Sequence, residues 1–241
     1  GLVGKGRMEE PEQIVAFIEQ DLKKGLPLVN KTVLITAGPT FEAIDPVRFI
    51  VNHSSGKMGY ALAEQASKLG ATVHLVSGPS NEKVHDSSIN VLPVTSAQEM
   101  FDSVQSQVNG ANIIIMAAAV ADYKPKTKSD IKLKKKDATL DIELEPTQDI
   151  LAHVGKRKAN NQVLIGFALE TNNELDNAKD KLKRKNLDLI ALNSLNDNGA
   201  GFGTDTNKIT LIDKDNNVSE FELKSKSEVA EDILNKIITL L

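Results

Sequence analysis

The sequence predicts an α/β domain: a doubly wound, mostly parallel sheet, finished by a C-terminal hairpin and a closing helix. Three observations carry this. Short apolar runs alternate with helix-patterned segments from Lys31 onward, and such alternation builds a parallel sheet with helices on both faces, joined by right-handed crossovers. One run, Ile113–Ala118, is apolar without a break, as expected of a strand covered on both sides. A glycine-containing stretch, Asn52–Gly59, separates the first strand from the first helix of the alternation, the place where a helix start can face a ligand.

Gly1–Met8 is glycine-rich with no core pattern, and Pro11–Lys24 reads as an amphipathic helix with Ile14, Phe17, Ile18 and Leu22 on one face, ended by Pro27. Residues 1–27 therefore read as a linker leading into a domain over 28–241. Val33–Thr36 is a strand that breaks at Ala37-Gly38-Pro39-Thr40, and Lys57–Leu69 is a helix with Met58, Leu62, Ala66 and Leu69 at helical spacing. Thr72–Val76 is a strand and Ile89–Val94 a candidate for another. Ser96–Val108 is a helix with Ala97, Met100, Phe101, Val104 and Val108 in period and Ser96 as its N-cap. After Ile113–Ala118 come a helix at Gln148–Lys158, a strand at Val163–Ala168, a helix at Asn173–Lys185 and a strand at Leu187–Leu192. Lys208–Ile212 and Glu220–Leu223 flank Lys214-Asp215-Asn216-Asn217, a hairpin signal, and Ser227–Leu241 closes the chain as a helix.

Composition narrows the function classes. At 241 residues, 40% hydrophobic and 26% charged, the chain has the make-up of an ordinary globular protein with a full core. It has no cysteine, which excludes disulfides, thiolate metal sites and a cysteine nucleophile. His53, His74, His85 and His153 share no ligand spacing. A net charge of −4 offers no global attraction for nucleic acid. No apolar run is long enough to span a bilayer, and no signal-peptide pattern is present. The expectation is a cytoplasmic protein that engages neither nucleic acid nor membrane.

Five constellations carry chemistry. In Asn52-His53-Ser54-Ser55-Gly56-Lys57-Met58-Gly59, free N–H groups and the positive end of the following helix favour an anion. The dinucleotide fingerprint fails here: only Gly56 and Gly59 match, and the second strand ends Val76-Ser77-Gly78-Pro79 without an acid. The P-loop fails as well, because Met58 follows Gly56-Lys57 where Ser or Thr is needed. Two readings stand: a phosphate cradle of Ser54, Gly56 and Gly59, or glycines that only permit close helix–strand packing. Met116-Ala117-Ala118-Ala119-Val120-Ala121-Asp122-Tyr123 puts small residues at a strand's C-terminal end, where a flat ligand can lie against backbone. Asp122 is placed to accept from a ribose hydroxyl, to hold a metal ion, or simply to cap a turn.

The third is the lysine run Lys124, Lys126, Lys128, Lys132, Lys134, Lys135 and Lys136, either a solvated loop or a basic flap over a polyphosphate. The Lys132-Leu133-Lys134 alternation suggests that one or two of these lysines point inward. The fourth is Gly166–Asn172, where Phe167 is suited to pack against a base, with Lys181 and Lys185 on one helix face, either exposed or at the same site. The fifth is Arg48, in an insertion between Gly38 and Asn52 too long for a dinucleotide loop. It holds a carboxylate or phosphate bidentately, or pairs with Glu42 or Asp45.

Together these runs resemble the phosphopantothenoylcysteine synthetases of coenzyme A biosynthesis. The matching pieces are Gly38-Pro39-Thr40-x-Glu42-x-Ile44-Asp45-Pro46-Val47-Arg48, Asn52–Gly59, Ala118–Tyr123, Lys132-Leu133-Lys134-Lys135 and Gly166-Phe167-Ala168-x-Glu170-Thr171. The resemblance implies a Rossmann-like domain and a ligase. CTP activates the carboxylate of 4′-phosphopantothenate to an acyl-cytidylate with Mg²⁺ assisting and pyrophosphate leaving; the amine of cysteine then attacks, releasing CMP and giving 4′-phosphopantothenoylcysteine. It assigns Asn52 to the step from acyl-cytidylate to product and Lys132 to activation. It places Met116, Ala117, Ala118 and Asp122 at the nucleotide; the reading of the residues themselves adds Gly38, Ser54, Gly56 and Gly59 there, and leaves Asp122 open as a metal ligand. Gln148, Asp149, Ile150, Leu151, Phe167, Lys181 and Lys185 join them, and Arg48 and Asn52 meet the acid substrate. It further implies a homodimer whose sites borrow from the partner, with Leu187–Ile212 as a source of an interface strand. An upstream decarboxylase domain would be fused, with residues 1–27 as its tail. Two other classes were open: an oxidoreductase or dehydratase, disfavoured by the missing acid, and a nucleotide-binding regulator, which has no need of a basic flap.

Overall fold

Eight strands hydrogen-bond into one central sheet in the computed structural model, which describes residues 8–135, 139–194 and 203–241. They are β1 (Thr32–Ala37), β2 (Thr72–Ser77), β3 (Asn90–Pro93), β4 (Ile113–Met116), β5 (Val163–Glu170), β6 (Leu189–Ser194), β7 (Thr210–Asp213) and β8 (Val218–Glu220). Their spatial order is β3-β2-β1-β4-β5-β6-β7-β8. The first six run parallel; β7 is antiparallel to β6, and β8 to β7. The winding direction reverses between β1 and β4, and open sheets of this kind bind ligands at that crevice. The Rossmann-like, doubly wound sheet with a terminal hairpin is therefore present.

Strand periodicity explains the two layers. Successive side chains of a strand face opposite ways. Val33 and Ile35 of β1 and Ile113 and Ile115 of β4 enter one core, while Leu34 and Ile114 enter the other. The first core is covered by α2 (Lys57–Lys68) and by a helix at Lys226–Ile238, which supply Leu62, Ala66, Val229 and Ile233. The second is covered by α3 (Ala97–Gln107), α4 (Ile150–Arg157) and α5 (Glu174–Arg184), through Met100, Val104, Val154 and Leu182. With α1 at Pro11–Lys23, the helix at Lys226–Ile238 is α6. On α1, Phe17 and Ile18 are exposed; the side chain of Leu22 lies outside the described residues. No helix among the described residues is long and apolar enough to cross a membrane.

Several boundaries differ from the expectation, each for a local reason. β4 ends at Met116 as a regular strand, but its pairing with the β1 side continues beyond it: Ala117 N–H donates to the Thr36 carbonyl of β1, Ala119 N–H to that of Gly38, and Ala119 forms an isolated parallel bridge with Pro39. The second hairpin strand is Val218–Glu220, earlier than Glu220–Leu223. The Asp213 carboxylate gathers the N–H groups of Asp215 and Asn217, and Asn216 takes φ +63°, so the turn closes sooner. α6 starts at Lys226 because Ser225 and Glu228 form a capping box. Among the described residues of 187–212, β6 and β7 are each paired on both edges and β8 forms that rim of the sheet, while Thr206–Asn207 pairs on one edge only, with Lys224–Ser225. Three two-stranded ribbons were not foreseen, at 42–43 with 49–50, 123–125 with 144–146, and 206–207 with 224–225. Strands of two or three residues are too short to show a period.

Candidate functional site

The C-terminal ends of β1, β4, β5 and β6 open into a cleft of about 920 Å³. Its phosphate-sized corner is made by α2. Gly56 is the N-cap of that helix at φ +86°, and no side chain caps it, whereas Ser96, Asp149 and Ser225 cap α3, α4 and α6. In the opening turn of α2 the Lys57 N–H makes a long contact with Ser55 Oγ at 3.4 Å, while Met58 and Gly59 line the cleft with no side-chain cap on their N–H groups, the arrangement that favours an anion. Ser54 and Ser55 stand beside it; the Gly56 N–H lies 3.3 Å from Ser54 Oγ, a long contact. Gly59 realises the packing reading as well: a Cβ there would lie 2.5 Å from that of Ala37 on β1. Gly38, at φ +76°, lies behind Gly56 against the Gly78 backbone rather than among the residues lining the cleft.

Opposite the glycines runs the small-residue loop. Two fully buried threonines fix it, Thr36 Oγ1 accepting from Ala118 N–H (3.2 Å) and Thr40 Oγ1 from Ala121 N–H (3.0 Å). Neither was singled out from the sequence; a polar residue inside an apolar strand run, as at Thr36, is the signal that marks such a tie. Asn52 is pinned to the same loop, its Nδ2 donating to the Val120 carbonyl at 2.9 Å. One amide N–H is thereby used, and the amide plane is fixed with its other N–H still available. Asp122 lies exposed on the cleft lining.

The far wall combines α4, α5 and the end of β5. Asp149 caps α4 by accepting from Ala152 N–H at 2.9 Å, and its other oxygen pairs with Lys185. Burial raises the Asp149 carboxyl, but Lys185 and the Ala152 N–H outweigh it and hold it below its ordinary value. Lys181 donates to the Phe167 carbonyl at 2.7 Å. Burial pushes this lysine down, and Glu170 offsets part of that effect. The two helices touch because residue 155 is glycine: a Cβ there would stand 1.9 Å from the Lys185 carbonyl oxygen. Gln148, Ile150 and Leu151 complete this wall, with Met116 and Ala117 at the floor.

Lys57, from the Asn52–Gly59 run, and several residues that sequence reasoning passed over fill the remaining side. Lys57 Nζ is 2.5 Å from Asp205 Oδ1, which raises its pKa, and 3.3 Å from the Gly203 carbonyl. Lys226, only 8% exposed, donates to the Thr204 carbonyl; burial and then Lys57 push it down. Asn193, on β6, and Asn207 also line the cleft, the Asn207 amide donating to Asn193 Oδ1 at 3.2 Å. Nothing in the periodicity marks Lys226, which is simply the first residue of α6.

Arg48 and Lys132 are not among the cleft residues. Arg48 forms the ion pair with Asp45, at 3.0 Å through Nε and 2.5 Å through Nη2. In the lysine run, Lys124 and Lys126 pair with Glu145 and Glu143 across the 123–146 ribbon. Lys128, Lys132, Lys134 and Lys135 are exposed while Leu133 is half-buried, so the residue that turns inward is the leucine. Lys136 lies outside the described residues. Among the described residues no group of three or more His, Asp or Glu side chains converges.

Residues 28–241 match a family model, the DNA/pantothenate metabolism flavoprotein C-terminal domain. The coenzyme A biosynthesis bifunctional protein CoaBC of Bacillus subtilis (strain 168) is 49% identical over 242 residues, covering 100% of this chain and 59% of that protein. A protein of an unknown prokaryotic organism named cysteine/cysteine sulfinic acid decarboxylase is 54% identical over 244 residues, covering 100% of this chain and 68% of its own length. The chain thus spans roughly three fifths to two thirds of these relatives. The crystal structure of the C-terminal domain of a CoaBC protein superposes with a TM-score of 0.77 at 43% identity, over 90% of this chain and 98% of that one. The DNA/pantothenate metabolism flavoprotein from Streptococcus pneumoniae gives 0.75 at 25% identity, over 88% and 99%.

Proposed function

This chain belongs to the DNA/pantothenate metabolism flavoprotein C-terminal domain family, and on that premise we propose that it is the synthetase part of a bifunctional coenzyme A biosynthesis protein. It joins 4′-phosphopantothenate to cysteine at the expense of CTP. The observation that supports this best is the meeting of two features in one cleft: the uncapped start of α2, and the Asn52 amide held against the Val120 carbonyl beside the small-residue loop. A triphosphate at the helix start and an acyl group at Asn52 are then neighbours.

Carboxylate activation needs positioning and charge stabilisation rather than a nucleophilic side chain. The first-turn N–H groups of α2, with Ser54 and Lys57, hold the phosphates. Met116, Ala117, Ala118 and Phe167 bracket the base and sugar. The paired Asp149 and Lys185, with Lys181, fix that end by hydrogen bonds and charge. Mg²⁺ entering with the triphosphate would rest on Asp122 and neutralise the leaving pyrophosphate. Asn52 then donates its remaining N–H to the acyl oxygen as cysteine attacks. Residues before Leu28 lead from an upstream decarboxylase domain.

The test is direct. With CTP, Mg²⁺ and the chain, pyrophosphate release should require phosphopantothenate, and without cysteine an acyl-cytidylate should remain. Release that ignores the acid, or an acyl-nucleotide only with ATP or UTP, would displace this reading. We also propose that the exposed apolar side chains Val47, Phe49, Val51, Tyr123 and Leu144, carried by two ribbons that pack together, meet a second copy of the chain. Phe49→Lys should then sediment as a monomer where the parent sediments as a dimer; a monomeric parent ends this proposal.

A further inference from the structure

Asp45 and Arg48 form the most heavily bonded ion pair near the site, yet neither lines the cleft. The Asp45 side chain is 0% exposed and its carboxylate takes five donors. Four are local: Val47 N–H (2.8 Å), Arg48 N–H (2.9 Å), Arg48 Nε (3.0 Å) and Arg48 Nη2 (2.5 Å). The fifth is the Leu133 N–H at 3.1 Å, 88 residues along the chain. The same Nη2 donates to the Leu133 carbonyl at 2.7 Å. Both backbone groups of Leu133 are thus held by one ion pair. Ser129 N–H reinforces the contact by donating to the Ile44 carbonyl at 3.0 Å. The guanidinium beside it keeps the Asp45 carboxyl well below the usual carboxylate range, despite burial.

A pair that only stiffened the 44–48 turn would be complete with its local donors. The two bonds to Leu133 serve the lysine segment instead. In extended chain, neighbouring side chains point to opposite sides, and Leu133 is half-buried while Lys132 and Lys134 are exposed. Fixing the Leu133 backbone therefore fixes the root and direction of Lys132. We infer that Asp45 and Arg48 are positioning residues that set Lys132 for nucleotide activation, and that Arg48 acts through the Leu133 backbone and not by holding the acid substrate. This rests on the ligase reading and on the activation task that the family resemblance gives to Lys132, which does not itself line the cleft. A catalytic group displaced by about 1 Å loses on the order of a hundredfold in rate.

Two experiments separate the parts. The first needs no substrate: limited trypsin digestion followed by mass spectrometry, reading the rate of cutting after Lys132, Lys134 and Lys135. Arg48→Ala, Arg48→Lys and Asp45→Asn should raise that rate about tenfold or more below their melting temperatures, because local opening governs cleavage. Arg48→Ala strips the buried Asp45 carboxylate of its cation, so Arg48→Lys, which keeps the charge but lacks the fork that reaches Asp45 and the Leu133 carbonyl together, is the variant read where Arg48→Ala does not fold. An unchanged cutting rate in Arg48→Ala overturns the inference. The second reads acid-dependent pyrophosphate release. Arg48→Ala should lower kcat roughly ten- to a hundredfold with little change in KM for phosphopantothenate, and adding it to Lys132→Ala should cost nothing more. A raised KM with kcat intact, or full additivity with Lys132→Ala, assigns Arg48 to the substrate and overturns it. If the parent releases no pyrophosphate, the ligase reading fails, and the digestion still decides whether the pair holds the segment.

Discussion

Asn52→Asp is expected to let the chain consume CTP and release pyrophosphate, yet form the amide about a hundred to a thousandfold more slowly, with acyl-cytidylate building up. The magnitude is that of removing one donor to a developing oxyanion. The amide Nδ2 lies 2.9 Å from the Val120 carbonyl, a bond that an ionised aspartate cannot make and would meet as repulsion between two oxygens. The substitution thus removes both the remaining donor and the bond that aims it. Asn52 is exposed, so the fold itself should lose little. Acid quenching and chromatography of the nucleotide products provide the measurement; ordinary product formation with no trapped acyl-nucleotide would remove Asn52 from this role.

The second large effect is on stability. Gly155→Ala should lower the melting temperature by several degrees and weaken nucleotide binding at the same time. Helix propensity argues the other way, since alanine is favoured over glycine inside a helix by about 1 kcal/mol. It loses because the new methyl would sit 1.9 Å from the Lys185 carbonyl oxygen, which is backbone and cannot turn aside. Overpacking of this kind costs about 1–3 kcal/mol or more, and a domain of this size shifts by about 2–4 °C per kcal/mol. Pushing α4 from the end of α5 also strains the Asp149–Lys185 pair that joins them. Gly110, with nothing within 4 Å of a built Cβ, is the control, and Gly110→Ala should melt like the parent. Equal melting of both variants would remove the close contact as the cause.

What the sequence made legible follows the range of the interaction. Alternating apolar runs report burial on each residue's own strand or helix, so the parallel sheet, its layers and the helix starts at Ser96 and Gly56 were readable. Most residues named for the nucleotide converge on one cleft because they lie at strand ends on one edge of that sheet. The contacts that were not legible join distant segments through backbone. Arg48 was open between a ligand and an acid nearby; that it also grips the carbonyl of Leu133 leaves no mark in either segment's pattern. Lys226 falls just before the helix expected at Ser227, and only the packing of α6 beside α2 brings it to Lys57. The threonines that tie the Ala118–Ala121 loop were hidden in the same way, since a side chain that bonds a loop some eighty residues on keeps an ordinary local context.

The packing of α6 beside α2 also fixes an order of assembly. Val229, Ile233 and Ile237 complete the core that Val33 and Ile35 begin. A ribosome making this domain therefore finishes all six parallel strands before the helix that covers one of their faces has been translated. During that interval the face of β1 and β4 turned toward α6 is shielded by α2 alone, and its isoleucines are open to whatever else in the cell binds apolar surface. The last helix ends this exposure and delivers Lys226 to the cleft in the same event, so a chain that has not hidden its core has not finished its site either.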